Sequence, residues 1–176
     1  MIRQMTKLIG AILVVSSCSA LGCYFSNELK TRIDNLKEIK KILILLRGDI
    51  EYANTALPEA IQALSRRHNG TYKKFLENVS KKLLELNGES FGVIWKETVD
   101  KDLLHTSLNK EDYGLLNQLG ESIGYLDKSM QINTLDLYLG QIEETIKELS
   151  KSAKDKTYLY NALGIMSGIF ITIILI

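Results

Sequence analysis

The sequence predicts an all-α protein, a bundle of about six helices between an N-terminal and a C-terminal transmembrane helix. Three observations predict it. All the acidic residues and 20 of the 22 basic ones lie between Glu28 and Thr157, where about 32% of side chains are charged, against roughly 25% in an average soluble domain. Each end carries an uncharged run of 18 residues, Leu8–Phe25 and Leu159–Ile176. In the middle, apolar residues recur at spacings of three and four, the helical period. One proline and few alternating β-branched stretches leave no strand signal to compete. The expected division is an anchor over 1–27, a bundle over 28–157 and a transmembrane helix over 158–176.

Each terminal run would span about 27 Å as a helix, the short end of what crosses a bilayer. The last eight residues, IFITIILI, suit a lipid environment. The first run has three readings: a cleaved signal peptide after Arg3 and Lys7, a lipoprotein signal in which Val15-Ser16-Ser17-Cys18 marks the processing site, or a retained anchor. Apolar character continues past Cys18 to Phe25, further than a signal sequence needs, which favours the anchor. Cys18 and Cys23 then act as small apolar fillers. Lys147, Lys151, Lys154 and Lys156 precede the second run and no charged side chain follows it, so the positive-inside rule expects the middle region to be cytoplasmic. The expected location is a cell membrane.

Within the middle, Leu29, Ile33, Leu36, Ile39, Leu43, Leu46 and Ile50 form one helical stripe that can continue the first span. Thr55 and Pro58 mark a new start, since proline is tolerated in a first turn, and Leu57, Ile61 and Leu64 follow, up to Asn69-Gly70. Tyr72, Phe75, Leu76, Val79, Leu83 and Leu86 line a third helix, stopped by Asn87-Gly88. Phe91, Ile94, Trp95 and Val99 form a short fourth. Asn109, with Asp112 three residues on, caps a fifth whose face is Leu115, Leu116, Leu119 and Ile123. Ile132, Leu135, Leu139, Ile142, Ile146 and Leu149 lead toward the second span.

Chemistry-bearing patterns are missing from the sequence. His68 and His105 are far apart, the middle region has no cysteine, and no carboxylates stand at ligand spacing, so no metal site is expected. There is no phosphate-binding glycine loop and no nucleophile elbow. No catalytic residue or cofactor is therefore expected, and the protein is read as a non-enzyme. A net charge of +1 gives no field for nucleic acid. Arg47-Gly48-Asp49 inside a helical stripe is read as chance.

The segment from Leu119 to Gln131 (LGESIGYLDKSMQ) stands out. Gly120 and Gly124 share a helix face, where each costs about 1 kcal/mol against alanine. That cost suits a site where another helix backbone approaches, or a helix end at Gly124. Asp127 is then placed to cap the next helix. A tight helix–helix corner is the bland reading, and a direct ligand site is the sharper one.

The segment resembles the Leu-Gly-x-x-Leu-Gly-x-x-Asp-x-x-x-Gln signature of the stage III sporulation protein AB family, with Gly120, Gly124, Asp127 and Gln131 matching and Ile123 replacing a leucine. Leu46–Ala60 (LRGDIEYANTALPEA) resembles a second block of that family, matched by Asp49, Ile50, Tyr52, Thr55, Leu57, Glu59 and Ala60, with Ala56 where proline is usual. Lys7-Leu8-Ile9-Gly10-Ala11 and the apolar C-terminus agree too, so the resemblance covers essentially the whole chain. Gly120, Gly124, Asp127, Gln131, Tyr52, Thr55 and Glu59 are the structural or interaction candidates.

The resemblance implies a place in the mother-cell membrane of an endospore-forming bacterium, facing the forespore. It also implies membership of an eight-protein set that forms a channel, or feeding tube. The family is similar to the helical domain of the type II secretion platform protein, so the implied partners are other stage III sporulation proteins, including a secretion-type ATPase, and the lipid bilayer; homo-oligomer formation stays open. A membrane-anchored sensor that binds a ligand between its helices is the alternative from a different class.

Overall fold

The computed structural model describes the backbone of residues 2–85, 88–124 and 127–175, and the side chains of residues 10, 12–85, 88–124 and 127–174. Leu86 of the third stripe, Asn87 of the Asn87-Gly88 stop, the Tyr125-Leu126 part of the glycine segment, and the side chains of Arg3, Lys7, Leu8, Ile9 and Ala11 lie outside the described residues. Among the described residues there are six helices and no strand: α1 (Ile2–Glu51), α2 (Leu57–Arg67), α3 (Lys73–Leu84), α4 (Phe91–Asp102), α5 (Lys110–Ile123) and α6 (Lys128–Leu175). The two terminal spans and the first and last bundle helices are thus shared, α1 and α6 each running without a break. The chain divides into two compact units, Met1–Ile33 with Glu148–Ile176, and Asp34–Lys147.

In the second unit the apolar stripes meet as a core. Leu36, Ile39, Leu43, Leu46 and Ile50 of α1 are buried, as are Leu57, Ile61 and Leu64 of α2 and Leu135 and Ile142 of α6. Helices α2 and α3, α3 and α4, and α4 and α5 pack as successive neighbours. At the centre, Trp95 of α4 is edge-on to Phe75 at 4.9 Å between ring centroids and tilted against Phe91 at 5.5 Å. Its indole N–H donates to Leu116 O at 2.8 Å, so the polar edge of this aromatic is satisfied inside the core. Polar groups also hold α1 to other helices. Arg47 donates to both carboxylate oxygens of Asp136 on α6, at 2.5 and 3.0 Å, and pairs with Glu51. These carboxylates, Asp136 first by hydrogen bonding, push the guanidinium further above its ordinary value. Asp49 pairs with Arg67 of α2, so the Arg47-Gly48-Asp49 triplet lies within α1 with both of its charged side chains ion-paired. The nearly buried His68 Nε2 lies 2.8 Å from Glu38 Oε1, and a Cβ at Gly70 would collide with both side chains.

Helix starts follow the local chemistry with one difference. At α5, Asn109 and Asp112 exchange side chain-to-backbone bonds of 2.9 Å, a complete capping box. Helix α2 begins at Leu57, with Pro58 in its first turn and Ala56 rather than Thr55 at the cap position. Ala56 has no side-chain oxygen to offer, and the Glu59 carboxylate instead accepts from its N–H at 3.1 Å.

In the first unit, α1 and α6 each contain an 18-residue window apolar enough to cross a membrane, with mean hydropathies of 1.2 and 1.5. Only 11% and 6% of those windows are buried. Large apolar side chains, Ile12, Leu13 and Leu21 on α1 and Met166, Phe170 and Ile173 on α6 among them, therefore face outward, as lipid-facing residues do and core residues do not.

Candidate functional site

The two unusual blocks, Leu46–Ala60 and Leu119–Gln131, are some 70 residues apart in sequence, yet they line one cleft of about 410 Å³ in the bundle unit. Ile50, Leu57, Pro58 and Phe91 make its apolar surface, and Asn54, Thr55, Lys128 and Gln131 its polar one. The turn after α1 brings the first block into place. Thr55 N–H donates to Asp49 O at 3.1 Å, and Asn54 takes the left-handed backbone (φ 51°), which asparagine tolerates better than most residues. Lys128, in the first turn of α6, donates to Glu51 O at 3.0 Å and Asn54 Oδ1 at 2.7 Å, tying the end of α1 to the start of α6. Gln131 Nε2 reaches back to Ile123 O at 3.2 Å, satisfying a carbonyl in the last turn of α5.

Each candidate residue now has a place. Thr55, Gly124 and Gln131 come together on the cleft wall. Glu59 serves the start of α2. Asp127 Oδ1 accepts from Met130 N–H and Ser129 Oγ, both at 2.9 Å, and so caps α6. Those bonds stabilise the carboxylate and hold its pKa below the ordinary aspartate value. Tyr52 is 81% exposed in the turn beyond α1 and does not line the cleft.

Gly124 ends α5 as expected, and the α4 backbone at Gly92 approaches Gly120 and Glu121, but a Cβ on either Gly120 or Gly124 would meet an aromatic side chain first. Gly120 faces the Trp95 indole, and a Cβ there would run into the ring. Gly124 does end α5, but with φ −70° and ψ −22° it is in the right-handed region, so positive φ is not why glycine stands there. A Cβ at Gly124 would lie 2.9 Å from Phe91 Cβ. The close backbone approach belongs to Gly92 of α4, whose added Cβ would lie 3.1 Å from Glu121 Cα. Sequence reasoning missed Gly92, Lys128 and Asn54. The lone glycine inside an otherwise well-formed α4 was the available signal for the first; nothing in the spacing pointed to the other two.

Other polar groups in the bundle are structural in geometry. Burial raises the Tyr72 phenol above its ordinary range, with Glu38, Tyr113 and Asp112 adding to the shift. Among the described residues, no group of His, Cys, Asp and Glu could hold a metal ion. The cleft sets polar side chains beside an apolar surface.

Comparison with known proteins agrees with this architecture. The family model for stage III sporulation protein AB matches residues 7–176. Stage III sporulation protein AB of Bacillus subtilis (strain 168) is 23% identical over 171 residues, covering 97% of this chain and 99% of the relative. A solved structure of stage III sporulation protein AB (SpoIIIAB) superposes with a TM-score of 0.63 at 22% identity, over 70% of this chain and 97% of that one. With two apolar end helices, a six-helix order and a family match from Lys7 to the last residue, the chain belongs to the stage III sporulation protein AB family.

Proposed function

We propose that the chain is a non-enzymatic platform subunit of the sporulation channel between mother cell and forespore, docking a secretion-type ATPase on its cytoplasmic bundle. The observation that carries this reading is a compact helical unit whose first and last helices both continue as apolar spans. Such a body is fixed to the membrane at two points, which suits a subunit against which a motor works. Lysines before the second span support a cytoplasmic bundle in the mother-cell membrane. The bundle surface carries many exposed charges of both signs, so docking should be salt-sensitive. The test is a pulldown of the full chain, in detergent, with the sporulation ATPase at low and high salt, alongside an ATP-hydrolysis assay of the chain alone. Binding at low salt that weakens at high salt is expected. No binding at either salt removes the platform role, and hydrolysis by the chain itself overturns the non-enzyme reading.

The cleft favours one second reading, a sensor that binds a small ligand between its helices. The two readings separate on a Thr55→Leu, Gln131→Leu variant. Loss of sporulation with ATPase binding intact supports the sensor; loss of both together supports the platform.

A further inference from the structure

Glycines in the two apolar end segments define a helix–helix contact. A Cβ at Gly164 would lie 2.7 Å from Cys18 O and 3.2 Å from Gly22 Cα. One at Gly168 would lie 2.9 Å from Val15 Cα and 3.2 Å from Cys18 Cβ. One at Gly22 would lie 2.6 Å from Tyr160 O. Positions ascend along α1 as they descend along α6, so the two helices run antiparallel. Cys18 and Gly22 are four apart, as are Gly164 and Gly168, and each pair therefore lies on a single helix face. Glycine at such positions lets two backbones approach at distances where van der Waals packing holds helices together in lipid. The contact continues beyond the glycines: Ser26, four residues past Gly22, is 4% exposed, and the Phe25 and Tyr160 rings stand 6.2 Å apart.

We propose that the two apolar end helices are held to one another as an antiparallel pair through Gly22, Gly164 and Gly168, and that Cys18 is a packing residue of that contact rather than a lipid attachment site. A leader peptide that is cut away has no need of a surface fitted to the far end of the chain. Processing at Cys18 would remove Val15, which meets Gly168, and would place a diacylglycerol on the side chain whose Cβ packs there. The partner is thus named by geometry: the chain's own residues 160–168. The inference rests on the two-point membrane attachment of the proposed function and deepens it, and its crosslinking test is read on the chain alone, apart from ATPase binding.

The experiment uses the full chain in native membranes. With Cys23→Ser leaving Cys18 as the single thiol, Gly168→Cys should form an intrachain disulfide under mild oxidation, because the two Cβ positions are close to the separation a disulfide bridges. Ile173→Cys, on an outward-facing position, should oxidise at least about tenfold more slowly. Equal rates at the two positions, or no disulfide at Gly168→Cys, would overturn the pairing. If the Gly168→Cys chain does not accumulate, Phe25→Cys with Tyr160→Cys in a Cys18→Ser, Cys23→Ser background, joined by a short thiol-reactive crosslinker, gives the same readout. Intact mass of the unsubstituted chain should show residues 1–17 present and Cys18 unmodified. A chain beginning at Cys18 with lipid attached, or beginning after it, would overturn the packing role of Cys18.

Discussion

At the scale of single residues, the glycines give the sharpest test because two effects oppose each other. Gly120→Ala gains about 1 kcal/mol of helix propensity. It also drives a methyl into the Trp95 ring, and overpacking of a filled core costs about 1–3 kcal/mol. Since Trp95 is fixed by its bond to Leu116 O and by two aromatic neighbours, it has little room to yield, and net destabilisation is expected. Chemical denaturation of the bundle measures it; a stabilised variant would mean the indole moves freely. Asp127 makes a pH-dependent prediction. Its carboxylate is held below the ordinary value by hydrogen bonds in the folded state, so its contribution is present above the unfolded pKa and lost as pH falls through the folded one. Asp127→Ala should therefore lower the melting temperature at neutral pH, and the deficit should shrink below about pH 4. A deficit independent of pH would remove the charged cap as its cause.

Among elements, α5 shows how much was legible. Asn109 and Asp112 announce its start by spacing alone, and the capping box is present as read. Asn109→Ala should cost about 1 kcal/mol, within the usual range for a lost cap, measured by thermal melting. Helix α2 was less legible. Thr55 has the chemistry of a cap, but its N–H is taken by Asp49 O in the turn, and the helix starts one residue beyond the following alanine. Tertiary placement of that turn, fastened by Lys128 from the far side of the sequence, decided it. The same cause hid the cleft: its walls come from residues near 55 and near 128, and no one-dimensional spacing joins them. Glycine spacing revealed that something was close to Gly120 and Gly124, yet not that the neighbours were Trp95 and Phe91.

For the whole molecule, the stripes read from the sequence became the core because each helix contributes buried leucine, isoleucine or valine to one interior. A core of that kind should sustain the bundle without its spans. A fragment of residues 28–156 is expected to be soluble, helical by circular dichroism, and to melt cooperatively. A largely disordered spectrum would show that the bundle depends on the membrane for its fold. Within that fragment Leu64→Ala, at a position with no exposed surface, should cost about 2–5 kcal/mol.

The position of Trp95 gives the protein a built-in optical probe. It is the chain's single tryptophan, it is 3% exposed, and it sits where α3, α4 and α5 meet. Indole emission from the intact protein therefore reports on one place, the interior of the bundle, and is silent about the lipid-facing helices. Loosening of that interior should move the emission to longer wavelength as water reaches the ring, whether heat, a core substitution or a docking partner causes it. The state of the bundle can thus be followed by its own light in lipid vesicles that hold the purified protein, without a label and without removing it from lipid.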